Sequence, residues 1–334
     1  MIDKYYNGVV EQVYNHVGKI EKNIVMASYN NDFSIENLET VKRYRTQEDS
    51  VFFASREFGY RELAGAYDPF LETICDMFRK YGTDSFDAFM ESCGVYELHR
   101  EILRSYYENG RCERNENVLL NEVTYEQERM TAAMAAMLKA LAAKHPIVLV
   151  INRFQMASRS TFELVHELII HPDMNIGMVL GVNDTVGRWE SVAEVWDGIE
   201  ESLQDQSQLY HIGSSDRRRT ERTEEYSLGE GYTDNVDIDE DYDASIRKVA
   251  NIVEFLDYDQ AKRYFREVEN KMKFEDAKMN NASKCVFYLL YARTSILLGE
   301  LSKALELITE AGKMIPMENE FRFRAQLDFL RGTC

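Results

Sequence analysis

Between Asn23 and Ile212 short apolar runs alternate with stretches long enough to be helices, and no other feature of the chain restricts its fold so sharply. The runs are NIVMAS (23–28), SVFFAS (50–55), IVLVI (147–151), IGMVLGV (176–182) and QLYHI (208–212). Short, nearly continuous apolar runs bounded by turn or helix-stopping residues suit strands buried on both faces. Helix-length connections between them require parallel crossovers. The pattern therefore predicts an α/β domain with a parallel sheet flanked by helices. The clearest helix is TYEQERMTAAMAAMLKALAAKH (124–145), with Thr124 and Gln127 in capping-box register and Met130, Met134 and Met137 at helical spacing as core residues. The strand at 147–151 then follows Pro146 and runs into Asn152 and Arg153.

The composition changes after Ile212. Residues 214–243 carry the arginine run Arg217–Arg219 and then the acidic stretch DNVDIDEDYD, with few large aliphatics, and read as a solvated linker. The acidic stretch lacks the central Gly and closing Glu of a calcium loop. From Ala244 to Cys334 the pattern is wholly helical. FLDYDQAKRYFREVE (255–269) and LGELSKALELITEA (298–311) place Ala261 and Ala304 equivalently, each after a short turn. The segment LLYARTSILLGELSKALELITEAGKMIP, with Gly299 at the turn and Pro316 after the second helix, resembles a tetratricopeptide repeat. The helix at 318–332 is then a cap or the first half of a further repeat. The expected domains are thus 1–213, the linker 214–243, and the helical repeats 244–334.

Charge and cysteine usage narrow the function classes. With 58 acidic against 39 basic residues the net charge is −19, which disfavours direct contact with nucleic acid or anionic membranes. The five cysteines are dispersed with no CxxC pair, as expected for free thiols in a reducing cytoplasm rather than a zinc site or disulfide framework. The six histidines form no HxxxH or HExxH pattern, and His166 and His171 read as a polar face. No apolar run is long enough to span a bilayer, and the amino-terminal segment is polar and amphipathic rather than a signal peptide.

The stretch 125–184 resembles the core of the STAND-type signalling ATPases, an AAA-like P-loop family often followed by tetratricopeptide repeats. The likeness lies in the strand IVLVI, in Gln155 and Ala157, and in the helix STFELVHELI with its following strand. Tyr67, Asp68, Pro69 and Phe70 match a structural element of that family, with Asp68 as cap and Pro69 in the first turn. The resemblance implies metal-binding carboxylates where this chain has Asn152 and Arg153, a further acid at Ser158, and a sensor arginine at Asn183. It also implies a P-loop after the first strand. There ASYNNDFS places Ala27 and Asp32 at the two glycines, Phe33 at the lysine, and retains only Ser34. Asp32 would repel phosphate, Phe33 removes the cation, and a glycine-free loop cannot turn its N–H groups into an anion nest. Ser34 reads as a helix cap, with Glu36 in the first turn.

Phosphoryl transfer depends on that positioning and charge neutralisation. Their joint loss predicts a non-catalytic pseudo-ATPase with no cofactor or metal, acting in signalling or transcriptional regulation through protein partners held by the C-terminal repeats. Two alternatives stand beside it. One is a nucleotide sensor or ATPase with a rearranged site built on Arg153, Ser34 and Asp184; the other is a portion of a larger STAND-type regulator. Arg153 is also placed to pair with Asp32 across the former site.

Overall fold

The computed structural model describes residues 2–21, 23–30, 33–47, 50–60, 62–110, 123–184, 193–205, 209–212, 242–274, 279–316 and 320–334. By spatial contact the chain divides into two units, 1–96 with 131–233 and 97–130 with 234–334. The expected linker 214–243 lies almost wholly outside the described residues.

Unit 1 is built on five parallel strands in the order β2-β3-β4-β1-β5, with β1 at Ile24–Tyr29, β2 at Phe52–Glu57, β3 at Ile147–Asn152, β4 at Ile176–Asn183 and β5 at Leu209–Ile212. All five were expected from their apolar runs, and each extends at most two residues past the expected end. Every residue of β1, β3 and β4 is buried, as a sheet covered on both faces requires. Alternate residues divide between the faces. Val25, Ala27, Tyr29, Val148, Val150 and Val179 pack against α1 (Ile2–His16) and α2 (Glu39–Thr46) through Tyr6, Val10, Val13, Val41 and Tyr44. β4 contributes glycines to this face. A methyl group on Gly181 would lie 2.3 Å from Tyr6 Oη, and one on Gly177 would lie 2.8 Å from Val13 Cγ1. The absent side chains are what admit α1 so close to the strand.

Other elements of this unit follow from local chemistry. In α3 (Phe70–Tyr81), Phe70, Leu71, Ile74, Met77 and Phe78 recur at helical spacing and are all buried. Asp68 does not cap this helix: Pro69 occupies the cap position without a side-chain bond, and the Asp68 carboxylate instead takes Arg56 Nη2 at 2.9 Å. Burial opposes the Arg56 charge, yet Asp68 and Glu62 together raise its pKa. Ser158 caps α7 (Arg159–Ile170) by accepting from Thr161 N, which accounts for a buried serine at a position where the family resemblance implied an acid.

Unit 2 contains α5 (Glu97–Asn109), the first turns of α6 (Val123–Ala142), and α9 to α13 at Tyr242–Glu254, Tyr258–Phe274, Asn281–Leu297, Leu301–Lys313 and Glu320–Thr333. Composition alone assigned residues 97–130 to the N-terminal domain. They belong with the helical unit because Tyr106 meets Phe255 edge-on at 5.8 Å, Asn251 Nδ2 donates to Gly110 O, and Gln127 Nε2 donates to Leu256 O. Met130, Met134 and Met137 of α6 are buried, as their spacing predicted. Thr124's side chain lies outside the described residues.

The turns that precede Ala261 and Ala304 share one backbone geometry. Leu256 and Gly299 both have positive φ, at 68° and 75°. Leu256 N donates to Val253 O as Gly299 N does to Ile296 O, and the pairs Asp257 to Ile252 and Glu300 to Ser295 repeat the offset. Ala261 and Ala304 are both fully buried where the second helix of each pair crosses the first. Small residues there let the helices approach closely. These turns differ in chemistry, since Gly299 adopts its conformation freely and Leu256 does so because its side chain is buried.

Cys75 and Cys285 are buried free thiols, and burial pushes their pKa values up to about 12 and about 11. A thiol with a raised folded pKa contributes stability below its unfolded value, and that contribution is lost as pH rises through the folded one. Urea midpoints are therefore expected to be level up to about pH 8.5 and to fall toward pH 11. Ellman's reagent at neutral pH should reach neither cysteine before unfolding; rapid reaction of either in native protein would contradict its burial.

Candidate functional site

Because the strands are parallel, β1, β2, β3 and β4 present their carboxyl ends on one edge, the place where open α/β sheets bind ligands. The residues singled out from the sequence converge there. β1 ends at Tyr29, β2 at Glu57, β3 at Asn152 followed by Arg153, and β4 at Asn183. Register pairs Tyr29 with Asn183 and Glu57 with Asn152.

The edge is tied together by its own side chains. Tyr29 Oη donates to Asn152 Oδ1 at 2.6 Å, and Asn152 Nδ2 donates to Phe33 O at 3.2 Å. The Phe33 ring packs edge-on against Tyr29 at 4.6 Å and Tyr6 at 5.0 Å. The position expected to hold a lysine is thus an apolar wedge, and the position expected to hold the first metal carboxylate is a fully buried amide holding that wedge by its backbone. Ala27 lies within β1, buried against the α1 side of the sheet. Asp32 lies outside the described residues.

Glu57 is the second tie. Its Oε2 accepts from Ser34 Oγ at 3.0 Å and Ile35 N at 2.8 Å, while its Oε1 pairs with Arg153 Nη1 at 3.0 Å. Ser34 also caps the 3₁₀ turn at Ile35–Asn37, accepting from Glu36 N. The cap reading holds, although the turn is 3₁₀ and the α-helix starts only at Glu39. Arg153 has a left-handed backbone with φ 53°, donates to Phe58 O at 3.1 Å and lies over the Tyr60 ring at 4.5 Å. Its anticipated partner was Asp32; the partner described is Glu57, which the neighbouring strand end places within reach. Asn183, where the resemblance implied a sensor arginine, donates from Nδ2 to Tyr60 Oη at 2.8 Å, and its backbone C=O and N–H bond the Gln155 side-chain amide.

No protein-family model matches the chain, and no curated protein matches it in sequence.

Among the described residues two cations stand at the strand ends: Arg153, whose Nη1 is engaged by Glu57 and the Phe58 carbonyl, and Arg56, which pairs with Asp68 and Glu62. The Tyr6 hydroxyl is fully buried without a hydrogen-bond partner among the described residues, and burial, then the neighbouring Tyr29 and Glu57, raises its pKa well above that of an ordinary tyrosine. It is therefore a neutral packing group rather than a base. Among the described residues no cluster of three or more His, Cys, Asp or Glu is placed to hold a metal ion, and no helix is long and apolar enough to cross a membrane.

Sequence reasoning missed Tyr6, Tyr29, Glu57 and Tyr60. Only Glu57 left a trace, as a carboxylate two residues after an apolar run whose parallel neighbour is followed by an arginine.

Proposed function

We propose that the chain is a non-catalytic, cytoplasmic regulatory protein whose N-terminal unit keeps a P-loop-like sheet as a scaffold. Its helical repeats then carry the interactions with protein partners. The observation that carries this reading is the wedge at the end of β1. Phe33 packs between Tyr6 and Tyr29 and is held by Asn152, at the position where the STAND-like resemblance calls for the phosphate-binding lysine. The parallel sheet, with Phe33 and Ser34 following β1 at its carboxyl edge, supports the P-loop-like assignment. Glu57 and Arg153 support the loss of chemistry, because a carboxylate paired to the cation competes with any phosphate for it. The repeated helix pairs support a binding role, since stacked helical repeats present extended surfaces to partners.

A thermal-shift titration with ATP and GTP in millimolar Mg²⁺ tests the reading. No stabilisation is expected, whereas a ligand present at 100 times its Kd adds about 2.7 kcal/mol. Saturable binding at micromolar nucleotide, or hydrolysis above a buffer blank, would overturn it.

A further inference from the structure

Unit 2 holds an open groove of about 250 Å³ between α11 and α13. Leu289, Leu290 and Arg293 line it from α11, and Arg322, Phe323 and Phe329 from α13. Every other lining side chain is apolar or neutral, and none is a carboxylate. That is the reverse of the chain as a whole, where acids outnumber bases 58 to 39. The two arginines differ in state. Arg293 is ion-paired to Glu254, while Arg322 makes no ion pair or hydrogen bond among the described residues. Phe329 is 43% exposed beside it.

We propose that this groove binds an acidic amphipathic helix of a partner protein, an assignment that rests on reading the chain as a protein-binding regulator. The apolar walls select the occupant's apolar face, and the unpaired Arg322 selects a carboxylate at its margin. A helix suits the site better than an extended segment. It brings its backbone hydrogen bonds with it, whereas an extended segment would press unpaired N–H and C=O groups against Leu289, Phe323 and Phe329. Two helices side by side also leave a channel into which a third can lay its i, i+3, i+4 and i+7 residues. A second copy of the chain is disfavoured by the net charge of −19 that each copy would carry.

Fluorescence anisotropy with the full chain tests this, using two labelled helical peptides of about 18 residues, roughly five turns. Both carry leucines at the same helical spacing; one has glutamate at the remaining positions and the other lysine. The glutamate peptide is expected to bind in the micromolar range and the lysine peptide at least ~10-fold more weakly, a difference of about 1.4 kcal/mol. Arg322→Glu, at an exposed position, should weaken the glutamate peptide at least ~10-fold, and Phe329→Ser should weaken it with circular dichroism unchanged. Equal affinity for the two peptides, indifference to Arg322→Glu, or no binding at millimolar concentration would overturn the proposal. So would a concentration-dependent rise in molar mass abolished by Phe329→Ser, which would make the occupant a second copy. These outcomes are independent of the nucleotide titration: ATP binding would overturn the scaffold reading of unit 1 and leave the peptide result standing, and failure of the peptide would leave the Phe33 wedge untouched.

Discussion

Gly181→Ala is expected to destabilise unit 1 by about 3 kcal/mol, at the upper end of what overpacking a core produces. The added methyl would lie 2.3 Å from Tyr6 Oη and 2.7 Å from Asn152 Oδ1, and neither neighbour has room to retreat. Tyr6 is fully buried in the face formed by α1, Tyr29 and Phe33. Asn152 is fully buried and held by Tyr29 and by the Phe33 carbonyl. Any movement of Asn152 therefore loosens the wedge as well. Tyr6→Phe separates the two contacts. Alone it removes a buried hydroxyl that has no hydrogen-bond partner among the described residues, so it is expected to stabilise the protein by about 1 kcal/mol. Combined with Gly181→Ala it should recover part of the loss and leave the part due to Asn152, giving a coupling of about 1 kcal/mol in the double-mutant cycle. Urea denaturation of the four proteins measures this. A Gly181→Ala change within about 0.5 kcal/mol of zero would mean that α1 does not lie against β4 as described.

The strands were legible because a sheet buried on both faces leaves a one-dimensional record. Apolar runs such as IVLVI and IGMVLGV have no other comfortable place in a folded chain. The matching turns before Ala261 and Ala304 were legible for a similar reason, since both buried alanines stand at a fixed distance from their turns. Where the strand ends depart from the P-loop pattern could also be read locally: Phe33 is no cation, and Asn152 is no carboxylate. Which side chains those residues bind could not. Tyr29 and Asn152 are 123 residues apart, and Ser34 and Glu57 are 23 apart. These pairs exist only because the strand order and register bring the ends of β1, β2 and β3 together. Asp68 shows the same limit in a short segment. Its place before Pro69 reads as a helix cap, but Arg56 at the end of β2 offers a stronger partner than a backbone N–H. The assignment of 97–130 failed because composition does not record which unit a helix packs on, and the contact that decides it joins Tyr106 to Phe255, far along the chain.

Glu57→Ala is expected to lower stability by about 2–3 kcal/mol and to release the segment after β1. Removing one member of a buried pair leaves the other charge uncompensated, typically at 3–5 kcal/mol, and the residual exposure of 14% and 16% for the Arg153 and Glu57 side chains reduces that here. The same substitution strips the acceptor from Ser34 Oγ and Ile35 N. Backbone amides at Ile35–Leu38 should therefore exchange faster with solvent, by more than the global loss of stability accounts for. Glu57→Gln keeps one carbonyl for Ser34 and Ile35 but turns an N–H₂ toward Arg153, so it should fall between Ala and wild type. In the cycle with Arg153→Ala a coupling of at least about 1 kcal/mol is expected, since the double variant no longer buries a lone charge. The variant also bears on function. With the latch gone, the segment still lacks the glycines and the lysine of a phosphate cradle, and Glu57→Ala should bind ATP no better than wild type. Nucleotide binding that appears only in Glu57→Ala would mean that the strand-end site is latched shut rather than lost, and would turn the proposed scaffold into a regulated nucleotide-binding protein.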